Sequence, residues 1–386
     1  MITKKTEETK EPTKVEEPTK VEEPKETKDL PKVEEPKEVK GSNVSSSSSS
    51  KSSKSSTTCT RKVLFKNYQS PGDIMMITPV VRDLKEQYPE IQIGVDTSCG
   101  EIWENNPYIT KFEKGDTDVE KFDVEYELIH NSNEGQYHFI HGYRKDIEER
   151  LGLVIKPGRF KGDIHISDAE KSWMSQLDEM DIKDQFWIIM GGGKYDFTAK
   201  WWVPEYYQKV VDHFKGKITF VQCGEKGHWH PPLNNVVNLI GKTDLRQFIR
   251  LIYHSVGVLG PVTFAMHCAA ATESSNGLKN RPCVVLAGGR EPSQWEKYPH
   301  HRFLETNGCL PCCDNGGCWK SRCQKVGDGD AKDKEELCLN PIKLSEELSI
   351  AKCLHMIKPR DVIRAIEMYY DGGVLKYGST INGRKK

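Results

Sequence analysis

The chain has 386 residues, with 56 basic and 57 acidic side chains and a formal net charge of -1. This balance, without a basic stripe, argues against nucleic-acid binding. No apolar run reaches the roughly 18 residues that a membrane span needs, so no transmembrane segment is predicted. The first residues lack the apolar core of a signal peptide, which predicts a cytoplasmic protein.

Residues 1–60 are predicted to be a disordered low-complexity tail. A degenerate repeat of the EPTKVEEP type runs to Lys40, and a poly-Ser run follows at 45–50. Such a segment has too few large apolar side chains to offset the entropy lost on ordering. We assign it no chemistry.

The stretch 62–88, KVLFKNYQSPGDIMMITPVVRDLKEQY, predicts a strand, a tight loop and a helix. The apolar run 63–65 is typical of a strand buried on both faces. The segment SPGD interrupts the pattern, and apolar residues then recur at helical spacing, which leaves Arg82 and Asp83 on the opposite, polar face. The loop after a parallel strand opens onto the ligand crevice of an α/β sheet. Asp73, at the start of the helix, is therefore predicted to be a catalytic carboxylate.

Further strands and helices alternate along the rest of the chain. Short apolar runs that end in turn residues predict strands, and amphipathic stretches predict the helices between them. Strands are predicted at 91–95, 124–129, 186–190, 218–222, 236–239, 257–259 and 282–286, and helices at 138–151, 167–180, 205–214, 245–253, within 261–271 and at 359–370.

This order predicts an α/β protein with two Rossmann-like, doubly wound lobes that face each other across a cleft. The N-terminal lobe with a connecting helix is predicted at 61–182 and the C-terminal lobe at 183–358. The second lobe includes a cysteine-rich insertion at 309–353. Residues 359–386 are predicted to form a C-terminal helix and tail.

Several polar residues follow strand ends in the second lobe. Lys200 is a candidate phosphate clamp, because a departing diphosphate needs a fixed cation; a solvated surface lysine is the equal alternative. Thr263 and His267 lie at the start of a helix, whose free N–H groups favour a phosphate. For His267, a packed interior histidine is the competing interpretation. Glu225 follows a strand and is placed to accept hydrogen bonds from ribose hydroxyls.

Twelve cysteines in a cytoplasmic protein favour thiols and bound metal over a disulfide framework. Seven of them lie from Cys309 to Cys353, in a turn-rich stretch with little core of its own. Four thiolates around a structural iron or zinc ion would stabilise such a stretch. The preferred ligands span the whole insertion and are Cys313, Cys318, Cys338 and Cys353. Cys312 is the main substitute, and reduced cysteines without metal are the alternative.

The segments KVLFKNYQSPGDIMMITPVVRDLKEQYP, NPYI, LIGKTDLRQFIRLI and PVTFAMHCAAA, in this order, resemble the ADP-heptose:lipopolysaccharide heptosyltransferases of glycosyltransferase family 9. The resemblance covers about residues 61–370. The cysteine-rich insertion is similar to the iron-binding finger of bacterial protein heptosyltransferases that modify autotransporters. The resemblance implies a GT-B type fold, with the acceptor on the N-terminal lobe and the nucleotide sugar on the C-terminal lobe.

The resemblance also implies roles for individual residues. Asp73 matches the family's general base, and the chemistry is expected to be inverting and metal-independent. The residues that match donor-binding positions are Lys200 for the phosphates, Glu225 for the nucleoside, and Thr263, Met266 and His267 in the PVTFAMH segment. Val262 and Phe264 stand where the family pattern has an aspartate and a glycine.

The predicted function is therefore an inverting glycosyltransferase of the kind used in lipopolysaccharide biosynthesis. It would move a heptose or related sugar from a nucleoside-diphosphate donor, with ADP-heptose expected, to a hydroxyl of a glycan, lipopolysaccharide or protein. One alternative is a non-catalytic sugar-nucleotide or glycan-binding protein with a structural metal finger. Another is a cysteine–metal redox or scaffold protein. Whether the chain forms a homo-oligomer stays open.

Overall fold

The computed structural model of the chain describes residues 61–113, 115–125, 137–173 and 175–380. The predicted tail at 1–60 and most of the predicted strand at 124–129 lie outside the described residues. Within the described ranges, no helix is both long enough and apolar enough to cross a bilayer.

The first lobe contains a small parallel sheet built around β1 (Lys62–Asn67). Its neighbours are β2 (Gln92–Thr97) on one side and β3 (Val119–Asp123) on the other. Buried and half-buried side chains alternate along β1. The prediction that this strand is buried on both faces is therefore wrong. Successive side chains of a pleated strand point to opposite faces, and only the face that carries Val63 and Phe65 is fully buried.

The second lobe contains six parallel strands in the order β6-β5-β4-β7-β8-β9. In chain order this is the doubly wound arrangement, in which the chain builds one half of the sheet outward and then returns to build the other. The prediction of two Rossmann-like lobes is confirmed. The strands are β4 (Phe186–Ile189), β5 (Thr219–Gln222), β6 (Val237–Asn238), β7 (Gly257–Pro261), β8 (Cys283–Gly288) and β9 (His301–Glu305).

The cysteine-rich insertion follows β9 and has little regular structure. It contains two short 3₁₀ turns, Pro311–Cys313 and Ala331–Asp333, and an antiparallel pair formed by β10 (Pro341–Lys343) and β11 (Ser349–Ala351). We call this segment, 309–353, the finger.

The helices mostly follow the predicted pattern. The predicted single helix at 167–180 is wrong, because two short helices occupy it, each preceded by a serine cap at Ser167 and Ser175. The α-helices are α1 (Pro71–Gln87), α2 (Phe139–Leu151), α3 (Asp168–Ser172), α4 (Gln176–Glu179), α5 (Pro204–His213), α6 (Leu245–His254), α7 (Phe264–Ala271), α8 (Ser293–Glu296), α9 (Lys352–Met356) and α10 (Pro359–Asp371).

Helix α1 carries a buried charge network on the face that the sequence pattern assigned to solvent. Arg82 and Asp83 are each about 1% exposed and form an ion pair at 2.8 Å. Asp83 also pairs with Arg144 at 2.9 Å, and Arg82 pairs with Asp163 at 3.3 Å. Buried charges are tolerated when they are paired and hydrogen-bonded in this way. The network joins α1 to α2 and to the segment that precedes α3.

Candidate active site between the lobes

The start of α1 lies against the start of α7, so the two lobes meet at two helix N-termini. Helix α1 begins at Pro71, earlier than its apolar pattern predicts, with Ser70 as the N-cap. Proline suits the first helical position because its missing N–H would have no helical partner there. A Cβ atom on Gly72 would lie 3.1 Å from Cδ2 of His267 and 3.9 Å from the backbone nitrogen of Phe264. Glycine therefore allows α1 to approach α7 closely.

Asp73 is the third residue of α1 and is half-buried. The backbone N–H of Ser70 donates to its carboxylate at 3.1 Å. This bond holds the carboxylate at the positive end of the helix dipole. The sequence-predicted carboxylate thus lies in the first turn of the helix that contacts the second lobe.

His267 is buried, and both of its ring nitrogens have protein partners. Nε2 is 3.2 Å from a carboxylate oxygen of Glu296, and Nδ1 is 2.9 Å from the hydroxyl of Tyr298. Burial raises the pKa of Tyr298, which keeps this hydroxyl protonated. A ring N–H that reaches a phosphate, as the sequence suggested, would have to give up one of these partners. In this structure the two partners hold the His267 ring in place, packed beside Gly72.

Lys200 ends the 3₁₀ helix Tyr195–Lys200 and reaches the start of α7. Its ammonium pairs with Glu291 at 2.9 Å and donates to the carbonyl of Val262 at 3.2 Å. Thr263 is the N-cap of α7, yet its hydroxyl is buried and has no hydrogen-bond partner among the described residues. A cation, an unpartnered hydroxyl and a helix N-terminus together suit a phosphate group.

Two buried glutamates that sequence reasoning missed complete this region. For Glu291, burial acts to raise the pKa, but the charges of Arg290 and Lys200 outweigh it and lower the pKa overall. For Glu296, burial and then the charge of Glu291 raise the pKa. Neighbouring carboxylates with opposite shifts are typical of functional sites. For Glu291 the available signal was its position, because Arg290 and Glu291 follow the Gly288–Gly289 turn at the end of β8.

Tyr143 of α2 lies close to both carboxylates of the junction. Burial, followed by the negative charges of Asp73 and Glu296, raises the pKa of Tyr143 well above its ordinary value. Its hydroxyl donates to the side chain of Gln69 at 2.9 Å. The residue therefore stays neutral and fixes the loop that precedes Asp73.

Two further predicted donor residues occupy different environments. Glu225 is exposed, 3.5 Å from His228. Its charge and that of Lys194 act on the Cys99 thiol of the first lobe, whose pKa is raised mainly by burial. Met266 is 1% exposed and packs in the hydrophobic core, where it supports α7.

Five finger cysteines line a single cavity against the end of β8. Backbone N–H groups of Lys320 and Asn340 donate to the sulfurs of Cys318 and Cys338, which is the hydrogen bonding that thiolates favour. The Cys323 thiol also donates to Cys338 and lowers the pKa of Cys338 to about 7. The cavity-lining cysteines are Cys312, Cys313, Cys318, Cys338 and Cys353.

The hydrogen bonds distinguish Cys312 from Cys313. The side-chain amide of Asn340 donates to the Cys312 sulfur at 3.3 Å, as it would to a thiolate. The Cys313 thiol instead donates to the carbonyls of Leu310 at 3.4 Å and Thr306 at 3.7 Å. A thiolate at position 313 would face two carbonyl oxygens, which is unfavourable. The geometry therefore favours Cys312 in the ligand set, although Cys313 was the preferred prediction.

The finger also brings three acidic groups together. Within the described ranges, oxygens of Asp196, Asp328 and Asp330 lie within 4.8 Å of one another, the one set of three metal-ligating atoms that does so. Arg322 already pairs with Asp328 at 2.7 Å and with Asp196 at 2.9 Å. Lys332 pairs with Asp330 at 2.9 Å, so two cations offset most of the negative charge of this cluster. The sulfurs of the cavity-lining cysteines are farther apart than these carboxylate oxygens. A tetrahedrally coordinated ion would therefore have to draw the sulfurs together.

Two parallel-stranded lobes, with a carboxylate and a candidate phosphate site where they meet, are the arrangement expected of a two-lobed glycosyltransferase. Residues 129–312 match the profile of Glycosyltransferase family 9 (heptosyltransferase). The family resemblance inferred from the sequence is thereby confirmed at the level of the family, over residues 129–312.

Solved structures agree with this fold. The glycosyl transferase family 9 structure from Veillonella parvula DSM 2008 is 16% identical, with a TM-score of 0.53, and covers 81% of this chain and 98% of that one. The iron-containing dodecameric glycosyltransferase TibC from enterotoxigenic E. coli H10407 is 14% identical, with a TM-score of 0.53, and covers 81% of this chain and 76% of its own. No curated protein sequence matches this chain.

Proposed function

We propose that the protein is an inverting glycosyltransferase that transfers a heptose or related sugar from ADP-heptose to a hydroxyl acceptor. The observation that supports the proposal is the close approach of the start of α1, which carries Asp73, to the start of α7, where Lys200 bonds the carbonyl of Val262. The family match gives the reaction class, and TibC has been solved in complex with ADP-D-beta-D-heptose. The acceptor would be a glycan, lipopolysaccharide or protein, and the reaction would take place in the cytoplasm.

In the proposed mechanism, Asp73 accepts the proton of the acceptor hydroxyl as its oxygen attacks the anomeric carbon. The new carbon–oxygen bond forms on one face of the sugar while the bond to the diphosphate breaks on the other. Lys200, the Thr263 hydroxyl and the N–H groups at the start of α7 stabilise the charge of the leaving diphosphate. Glu225 would accept from the nucleoside, and the neutral Tyr143 would hold the Asp73 loop in place.

We also propose that the finger binds one structural iron or zinc ion. The residues fit such an ion, because several cysteines share one cavity and their sulfurs already accept N–H hydrogen bonds. The ion would crosslink a segment that has little core of its own. The ligands that we propose are Cys312, Cys318, Cys338 and Cys353.

The test is donor turnover by the purified protein. Incubation with ADP-heptose and candidate acceptors should release ADP and add one heptose mass to an acceptor, both visible by mass spectrometry. Binding of ADP-heptose without turnover on any acceptor class would favour the non-catalytic sugar-nucleotide-binding alternative.

A further inference from the structure

The finger contacts the phosphate-type site through a short series of side chains. Arg290 follows β8 and is 5% exposed, and its Nε donates to the carbonyl of Lys320 in the finger at 2.6 Å. The same guanidinium is ion-paired with Glu291, which holds the ammonium of Lys200 at 2.9 Å. The position of Lys200 is thus linked to the finger backbone by two buried side chains.

Trp319 of the finger packs against Arg290, the first side chain of this series. The Arg290 guanidinium lies 5.6 Å from the Trp319 ring centroid, within the range of a cation–π contact. On its other contacts, Trp319 stacks on Trp295 at 4.6 Å and on Phe139 of the first lobe at 5.9 Å. Trp319 therefore bridges the finger and both lobes.

The backbone of this part of the finger is strained. Trp319 has φ 55°, in the left-handed region that a bulky L-residue rarely adopts. Two residues earlier in the chain, a Cβ atom on Gly317 would lie 2.3 Å from the Trp295 ring and 2.4 Å from the carbonyl of Arg290. Such a conformation persists only where its surroundings enforce it. The finger loop is therefore packed against the Arg290 segment at close range.

From these contacts we infer that Arg290, Glu291 and Trp319 are positioning residues that connect the metal finger to the donor phosphate site through Lys200. The inference rests on the proposed function. The charges of Lys200, Arg290 and Glu291 sum to one positive charge beside the start of α7, which suits a nucleoside diphosphate. Without the Trp319 ring, the Arg290 guanidinium would keep its contact with Phe197 at 5.5 Å but would be held less firmly, and Lys200 would then lose part of its fixed position.

ADP binding by the full chain, measured by calorimetry, tests the inference in the variant Trp319→Ala. We expect ADP affinity to fall about tenfold, as for mutations along a coupled set of contacts, with the metal content unchanged. Trp319→Phe retains a stacked ring and should restore most of the affinity. Trp187→Phe is the matched control, since Trp187 is fully buried in β4 and bonds Tyr370, far along the chain from the series. It should lower the unfolding temperature without changing ADP affinity.

Arg290→Lys decides the matter if Trp319→Ala does not fold. It retains the cation but cannot bond Glu291 and the Lys320 carbonyl together, so we again expect about tenfold weaker ADP binding, with a higher KM for donor than in the wild type. ADP affinity within twofold of wild type in the folded variant would overturn the inference. A wild-type chain that binds ADP but transfers no sugar would refute the proposed function alone, whereas one that binds no ADP would refute both.

Discussion

Gly72 has no Cβ atom, which allows the two lobes to pack closely at their junction. A methyl group there would lie 3.1 Å from the ring of His267, whose ring is held on two sides by Glu296 and Tyr298. The ring cannot turn away without breaking one of these hydrogen bonds. We expect the strain to be relieved at least in part by a shift of the start of α1, which carries Asp73.

We predict that Gly72→Ala lowers the rate of sugar transfer at least about tenfold, because small displacements of a catalytic group are costly. The unfolding temperature should change little, since the added methyl lies at a cleft rather than in the core. Gly100→Ala is the control, because a Cβ atom on Gly100 meets nothing within 4 Å. Equal transfer rates in the two variants would show that the contact with His267 does not constrain Asp73.

Among the elements, α6 joins the two lobes through Arg246. Its guanidinium is ion-paired with Glu170 of α3 and donates to the carbonyls of Glu101 at 3.2 Å and His165 at 2.6 Å. For Glu170, burial acts to raise the pKa, but the bonds from Arg246 and Ser167 outweigh it and lower the pKa to about 2. A carboxylate with a lowered pKa stabilises the fold above its ordinary pKa and loses that contribution as the pH falls.

We predict that Glu170→Gln lowers the free energy of unfolding by about 3 kcal/mol at pH 7, the equivalent of a shift from 4.5 to about 2. The difference from wild type should shrink as the pH falls from about 4.5 towards 2, where the wild-type carboxylate also becomes protonated. Urea unfolding of both proteins between pH 7 and pH 2 measures this difference in the free energy of unfolding. Glu120→Gln, in the exposed pair with Arg61, should change stability by less than about 1 kcal/mol. A Glu170→Gln effect that did not vary with pH would contradict this account.

The sequence predicted elements well where a pattern is local and poorly where partners are distant. The strand–loop–helix of β1 and α1 follows from apolar periodicity, and so does the buried strand β4. Arg82 and Asp83 were assigned to solvent, because their partners Arg144 and Asp163 lie some 60 to 80 residues away in the sequence. Periodicity carries no information about such partners.

The same limit explains the residues missed at the site. Asp73 and Lys200 follow strands or lie near helix starts, where ligands bind in α/β folds, and could be predicted from position. Glu296 became visible only once the fold had brought α8 beside His267. The choice between Cys312 and Cys313 depends on which sulfur faces N–H donors, and adjacent cysteines look identical in a sequence.

For the whole molecule, the finger is predicted to depend on its metal. Elemental analysis should find one iron or zinc ion per chain, and chelation should lower the unfolding temperature, because the finger lacks a core that could replace the ion. Cys312→Ser should lose the ion, and Cys313→Ser should retain it. Cys309→Ser is the control, since Cys309 is exposed and does not line the cavity. Loss of metal in Cys313→Ser but not in Cys312→Ser would restore the ligand set predicted from the sequence.

The central claim is that a carboxylate on the first lobe deprotonates an acceptor opposite a nucleotide sugar held by the second. The most direct measurement compares ADP-heptose binding with sugar transfer in Asp73→Asn. Asp116→Asn is the control, since Asp116 forms a half-buried pair with Lys62. We predict that Asp73→Asn binds the donor within about threefold of wild type and transfers sugar about 10²–10⁴ times more slowly. Wild-type transfer by Asp73→Asn would contradict the assignment of Asp73 as the base.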